Sequence, residues 1–142
     1  MKVLILGGGA TGSITAKILA DFEIVKKVYV GDINDKNAKK FLATHPKIVF
    51  KLLDATKKEH VKEVLKDCNL LINAASPNFN KDLMKVAIEA GVNYQDFASF
   101  WEDAVIEQFE HDTAFKEKGL VGLINASATP GVSNLLVGEL CS

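Results

Sequence analysis

Val3-Leu4-Ile5-Leu6-Gly7-Gly8-Gly9-Ala10-Thr11-Gly12-Ser13-Ile14 is the stretch whose reading decides the fold. A short, wholly apolar strand runs into three consecutive glycines, and Gly12 follows where a helix should open. The spacing Gly7-x-Gly9-x-x-Gly12 is the fingerprint of a strand–turn–helix unit that binds dinucleotides. Gly7 allows the tight turn out of the strand. Gly9 has no side chain to hold a pyrophosphate away from the backbone. Gly12 lets the helix lie close on the sheet. The helix start then offers free N–H groups and a partial positive charge to phosphates. A bare strand–helix turn without a ligand would use the same glycines, so the rest of the chain has to support the reading.

Asp32 stands twenty positions after Gly12, at the end of the β-branched and aromatic stretch Val28-Tyr29-Val30. A dinucleotide fold places there the carboxylate that accepts hydrogen bonds from the adenosine ribose. Gly31-Asp32-Ile33-Asn34 closes that strand, and Asp32 to Asp35 would also serve as a turn and helix cap. Where NADP is used, an arginine often follows this position to pair with the 2′-phosphate. Ile33 follows here, and the carboxylate would repel that phosphate, so NAD is the expected cofactor. Lys36 and Lys39 keep NADP open.

Strand and helix patterns alternate along the rest of the chain. After Gly12, Ile14, Ile18, Leu19 and Phe22 fall on one helical face, expected to pack on the sheet. A helix over Asn37 to Thr44 breaks at His45-Pro46, and Ile48 to Leu53 is a third strand. Asp54 and Ala55 end it, either beside an adenine or, with Thr56, as a cap for the helix carrying Val61, Val64 and Leu65. Leu70 to Pro77 is the fourth strand and its exit loop, opening on the continuous apolar run that a parallel strand buried on both faces requires. The small Ala74 and Ala75 at its end would let a cofactor pass, and Pro77 holds Ser76 out of helical geometry. A helix from Phe79 to Ala90 buries Leu83, Val86, Ala87 and Ala90 and stops at Gly91. Val92 to Phe97 is a fifth strand with Asp96 near its carboxyl end. A long charged helix over Ser99 to Lys118 packs through Trp101, Val105 and Phe109. Leu120 to Ile124 is the sixth strand, and a last helix opens near Val132. Helical crossovers between strands imply an α/β, doubly wound Rossmann-type parallel sheet, three layers thick, in the order 3-2-1-4-5-6.

Composition narrows the function classes. Of 142 residues, 48% are hydrophobic and 25% charged, with a net charge of −1, which describes one soluble domain with a real core. There is no basic excess to attract nucleic acid or an anionic membrane, and no apolar run approaches the ~18 residues of a membrane span. Met1-Lys2 leads directly into the first strand, so no secretory leader is expected. Cys68 and Cys141 are far apart and read as reduced thiols of a cytoplasmic protein, with Cys68 a small buried hydrophobe. No metal-ligand cluster is expected, and His45, His60 and His111 read as solvated surface residues. Neither tyrosine has a lysine four residues later and no lysine follows Gly12, which sets aside short-chain dehydrogenases and P-loops.

The succession of the glycine turn, Asp32-Ile33-Asn34, Asp54-Ala55-Thr56, Asn73 to Pro77, Tyr94-Gln95-Asp96 and Thr129-Pro130-Gly131-Val132-Ser133-Asn134 resembles the saccharopine dehydrogenase-like family. That family includes saccharopine reductases, lysine 6-dehydrogenases and carboxynorspermidine dehydrogenases. The resemblance covers essentially the whole chain but only the N-terminal half of such an enzyme. It implies NAD or NADP held by Gly7, by Gly9, Ala10, Thr11 and Gly12, by Asp32, Ile33 and Asn34, and by the loops at Asp54, Ala55, Ala74 and Ala75. It also implies that Ser76, Pro77, Asn78, the stretch from Asp96 to Ala98, and Thr129, Pro130 and Gly131 approach the nicotinamide and an amino-acid substrate. The chemistry would be hydride transfer at a carbon–nitrogen bond, as in lysine or saccharopine. Asp96 is the candidate proton carrier, with hydrogen bonding to loop N–H groups as its other role. Residues 1–131 would form the cofactor domain, and residues 132–142 would begin the helix leading to a second domain absent from this chain. The fragment alone would then be inactive, and the full-length protein a homodimer. A stand-alone nucleotide-sensing domain of the potassium-transport type is the competing expectation.

Overall fold

The computed structural model describes residues 1–42, 44–100 and 102–141, with the side chains of residues 37–39 and 102 outside the description. Six strands form one parallel sheet: β1 (Lys2–Leu6), β2 (Lys27–Asp32), β3 (Ile48–Leu52), β4 (Leu70–Asn73), β5 (Asn93–Asp96) and β6 (Gly122–Leu123). Their spatial order is β3-β2-β1-β4-β5-β6, as expected, with Leu4 of β1 level with Tyr29 on one side and Leu71 on the other. The order reverses at β1, which places the glycine turn at the centre of the carboxyl edge.

Side chains alternate across the sheet and build two cores. Leu4, Leu6, Leu71 and Tyr94 pack under α3 (Lys58–Leu65), α4 (Asn80–Ala90) and α6 (Asp112–Glu117) through Val61, Leu65, Leu83, Val86, Ala87 and Phe115. On the other face, Val3, Ile5, Val28, Val30 and Ile72 pack on Ala16 and Ala20 of α1 (Ala10–Asp21), close to α2 (Asp35–Phe41). Gly91 ends α4 in the left-handed conformation at φ 70°, as its position predicts.

Several expectations change. The sheet-facing side of α1 is Gly12, Ser13, Ala16 and Ala20, whereas Ile14, Ile18 and Phe22 point outward at 60%, 54% and 55% exposure. Close approach to the sheet selects the small residues, and periodicity cannot separate two faces that are both apolar. The charged stretch after β5 forms two helices, α5 (Glu102–Phe109) and α6, rather than one. The His111 N–H bonds back to the Gln108 carbonyl at the break. Phe109 is exposed and the buried residues are Gln108 and Phe115; Trp101 lies outside the described residues. β6 is shorter than expected, because Asn125 turns the chain at φ 56° and gives its N–H to Asp96. His45 is half-buried, accepting a hydrogen bond from the Lys47 N–H, and His111 has its Nε2 buried without a hydrogen-bond partner.

At the β6 edge, Val121 and Leu123 are 64% and 52% exposed. The last helix, α7 (Val132–Leu140), leaves Val132, Leu135, Leu136, Val137 and Leu140 exposed. No described helix is long and apolar enough to cross a membrane.

Candidate functional site

The glycine turn sits at the carboxyl end of β1 and is fixed from both sides. Gly7 has φ +101°, and a Cβ there would lie 2.6 Å from the Ala74 carbonyl oxygen. At Gly12 a Cβ would lie 1.9 Å from the Gly7 carbonyl oxygen, so α1 can start here only with glycine. Gly9 is different. A Cβ at Gly9 would meet nothing within 4 Å, so the protein itself makes no demand for glycine there. Gly9 is also the N-cap of α1, and no side chain caps the first turn. The leading N–H groups of α1, at Ala10, Thr11 and Gly12, therefore face the space above Gly9. Open space, unclaimed N–H donors and a helix N-terminus together make a cradle for an anion.

Asp32 closes one side of this cradle. Its Oδ2 accepts from the Gly8 N–H at 2.7 Å and its Oδ1 from the Asn34 N–H at 2.8 Å, so the carboxylate is held rigidly at the turn. Asn34 in turn accepts from the Lys36 N–H at 2.9 Å and so starts α2. A cavity of about 350 Å³ opens beside Asp32, walled by Gly7, Ile33, Asp54, Ala55 and Phe79. Asp54 accepts from both the N–H and the hydroxyl of Thr56, at 2.9 and 2.7 Å. Those two bonds hold its carboxyl below the usual carboxylate range. Asp54 organises the turn before α3 and lines the cavity, while the N-cap of α3 is Lys57.

A second, smaller cavity of about 120 Å³ lies on the other side of the turn, among Thr11, Asn73, Ala74, Pro77, Phe97 and Ala98, with Asn80 also in its wall. Ala75 borders both cavities. The Ala75 N–H is held at 3.1 Å by the Asn73 side-chain oxygen, and Ser76 Oγ accepts from the Asn78 N–H at 3.3 Å. The structure thus brings the glycine turn, Asp32, Ile33, Asp54, Ala55, Ala74, Ala75 and Pro77 to one surface. Thr129, Pro130 and Gly131 line neither cavity. They form a separate turn after β6, closed by the Val132 N–H on the Ser127 carbonyl at 2.9 Å.

Asp96 is 1% exposed and already occupied. Its Oδ1 accepts from the Asn125 N–H at 2.7 Å, and its Oδ2 accepts from Gln108 Nε2 at 2.7 Å and from the Tyr94 hydroxyl at 3.1 Å. Burial pushes the Asp96 carboxyl up, against these three donors, and burial followed by the Asp96 charge pushes the Tyr94 phenol up. Asp96 thereby ties together the ends of β5 and β6, which is the second of the two roles expected for it.

Sequence reasoning passed over Phe79, Asn73 and Asn80 as site residues. Phe79 read as the start of a helix, and the two asparagines as a strand end and a helix residue, so only the fold reveals what they face. Among the described residues, no group of three or more His, Cys, Asp or Glu could hold a metal ion.

Residues 3–123 match the saccharopine dehydrogenase NADP binding domain. The chain is 31% identical to the carboxyaminopropylagmatine dehydrogenase of Synechocystis sp., over 94% of this chain and 36% of that protein. Among solved structures it superposes on the L-Glu-forming saccharopine dehydrogenase of Saccharomyces cerevisiae with a TM-score of 0.79, at 20% identity, over 98% of this chain and 30% of that one. GenD2 from gentamicin A biosynthesis, solved in complex with NAD, follows at TM-score 0.68 and 18% identity, over 89% of this chain and 34% of its own. The chain therefore spans about a third of the length of these relatives.

Proposed function

The chain belongs to the saccharopine dehydrogenase NADP-binding domain family, and on that premise we propose that it is the cofactor-holding part of an oxidoreductase acting at a carbon–nitrogen bond of an amino acid. The observation that carries this reading is the Gly9 cradle flanked by two cavities. A dinucleotide consists of two nucleotides joined at a pyrophosphate, and the site has two concavities joined at an anion cradle.

The residues present fit such a group. The first-turn N–H groups of α1 would receive the pyrophosphate, and Asp32 the adenosine ribose hydroxyls. Leu53, Ala55 and Phe79 offer apolar surface to the adenine, and Thr11, Ala74, Pro77 and Ala98 surround the nicotinamide side. When bound, the nicotinamide accepts or supplies the hydride. The protein's part is to orient it and to exclude water from that side. Asp96 steadies the strand ends beneath the reaction site. Substrate recognition, including any part played by Asn78 and the Thr129–Gly131 turn, would be shared with a further domain, since relatives carry about twice as much additional chain. The exposed apolar face of α7 fits a helix leading to that domain. A cytoplasmic, homodimeric full-length enzyme completes the reading.

Between the two cofactors we favour NAD, although the matched family is described by NADP. The Asp32 carboxylate stands at the ribose position, and Ile33 supplies no cation for a 2′-phosphate. Titration of NADH and NADPH against the protein tests this. NADH should bind more tightly, and Asp32→Ala should weaken NADH while narrowing the difference. Equal or tighter NADPH binding by the unmutated protein would show the assignment to be wrong.

A further inference from the structure

The smaller cavity is shaped by two side chains that are not free to move. Asn73 Nδ2 donates to Asn80 Oδ1 at 2.6 Å and to the Ser76 carbonyl at 3.0 Å. Asn80 Nδ2 donates to the Ala98 carbonyl at 2.8 Å. Together they hold the loop after β4 against the loop after β5. Behind them the network continues away from the cavity. The Tyr94 hydroxyl reaches Asn80 Oδ1 and Asp96 Oδ2, each at 3.1 Å, and Gln108 Nε2 donates to Asp96 Oδ2 at 2.7 Å. Gln108 Oε1 accepts the Ser99 hydroxyl, which fixes the orientation of its amide. Asn73, Asn80, Tyr94, Asp96 and Gln108 are all buried.

Counting protons gives Gln108 its role. The Tyr94 hydroxyl has one proton and two acceptors, so it serves Asn80 or Asp96 but not both. With N–H groups from Gln108 and Asn125 on its two oxygens, Asp96 is already supplied, and the Tyr94 proton can serve Asn80. Without Gln108, a buried carboxylate would draw that proton to itself, since an unsatisfied buried charge is costly. Asn80 Oδ1 would then accept from Asn73 Nδ2 alone, and the amide that ties Asn73 to the Ala98 carbonyl would be fixed by one contact fewer.

We propose that Gln108, oriented by Ser99, is a positioning residue for the nicotinamide side of the site, acting through Asp96, Tyr94 and Asn80 on the wall of the smaller cavity. Gln108 does not line that cavity itself. The proposal rests on the dinucleotide reading above, and its effect is confined to one half of the cofactor. ADP-ribose keeps the adenosine, the pyrophosphate and the second ribose, and lacks only the nicotinamide ring that the smaller cavity would receive.

The test measures NADH and ADP-ribose affinities side by side, with thermal melting as a fold control. Gln108→Leu should weaken NADH by about fivefold or more, the worth of one net hydrogen bond, and leave ADP-ribose unchanged. Ser99→Ala, a milder change outside the buried core, should shift the NADH to ADP-ribose ratio the same way by about threefold. Ser99→Thr keeps the hydroxyl and should restore the ratio. Should Gln108→Leu fail to fold, the Ser99 pair decides. Variants that weaken both ligands equally, or neither, overturn the proposal while leaving the cofactor site in place. An unmutated protein that binds neither ligand overturns the cofactor reading and this inference with it.

Discussion

Replacing Gly9 with alanine should separate the fold's demands from the ligand's. The backbone at Gly9 has φ −71° and ψ −168°, which alanine adopts without strain, and the added Cβ meets no atom within 4 Å. Two small effects on stability then oppose each other. Alanine restricts the unfolded chain and stabilises by ~0.4–1 kcal/mol. Alanine is also a poorer N-cap than glycine, by up to ~1 kcal/mol. The sum lies near zero, and melting should move by no more than ~3 °C in a domain of this size. The cofactor should respond quite differently. The methyl group would fill space beside the first-turn N–H groups of α1. Each charge-assisted hydrogen bond to phosphate lost there is worth ~1.5–3 kcal/mol, or ~10- to 150-fold in affinity. Gly12→Ala is the counterpart, because its Cβ would stand 1.9 Å from the Gly7 carbonyl oxygen, a backbone atom that cannot simply rotate away. Overpacking of that kind costs ~1–3 kcal/mol or more, so melting should fall by ~3–9 °C. Differential scanning fluorimetry without ligand and calorimetric titration of NADH give both numbers. The reasoning fails if Gly9→Ala melts as early as Gly12→Ala, or if Gly9→Ala binds NADH as well as the unmutated protein.

Three further outcomes follow from other parts of the molecule. Tyr94→Phe removes a buried hydroxyl shared by Asn80 and Asp96, and should lower stability by ~1–3 kcal/mol in urea unfolding; an unchanged midpoint would show the hydroxyl to be idle. Burial, and then Lys85 and Lys81, hold His111 below its ordinary value of 6.5, so the unfolded chain binds the extra proton first. Its contribution is therefore present above pH 6.5 and lost as pH falls from there through the lower value of the folded protein, and the drop in urea midpoint between pH 7.5 and 5.5 should be smaller in His111→Gln. A drop of equal size in both proteins would refute it. Burial pushes the Cys68 thiol up to about 11, and its S–H faces the Val64 carbonyl, whereas Cys141 is exposed. A thiol reagent at pH 8 should label Cys141 quickly and Cys68 only after unfolding; rapid labelling of both would contradict the burial.

What could be read in the amino-acid sequence was local or periodic. The glycine turn, the spacing from Gly12 to Asp32, the apolar run of β4 and the stop at Gly91 are each written within a few residues of the feature they specify. The alternation of strand and helix then implies a parallel sheet, and the glycine fingerprint makes 3-2-1-4-5-6 the natural choice among the right-handed orders. The grouping of Asp32, Asp54, Ala74 and Ala75 around the glycine turn was legible for the same reason, since these residues sit at strand ends. Tertiary structure decided what depends on distance across the sheet. Alanine and isoleucine faces of α1 are both apolar, and only contact with the sheet selects Ala16 and Ala20 over Ile14 and Ile18. Asn73, Asn80, Tyr94, Asp96, Gln108 and the backbone of Asn125 come from different elements, and no spacing in the chain shows that their polar atoms meet. Hydrogen bonding in a buried site is a matter of direction within a few ångströms, and that is set by packing rather than by order along the chain.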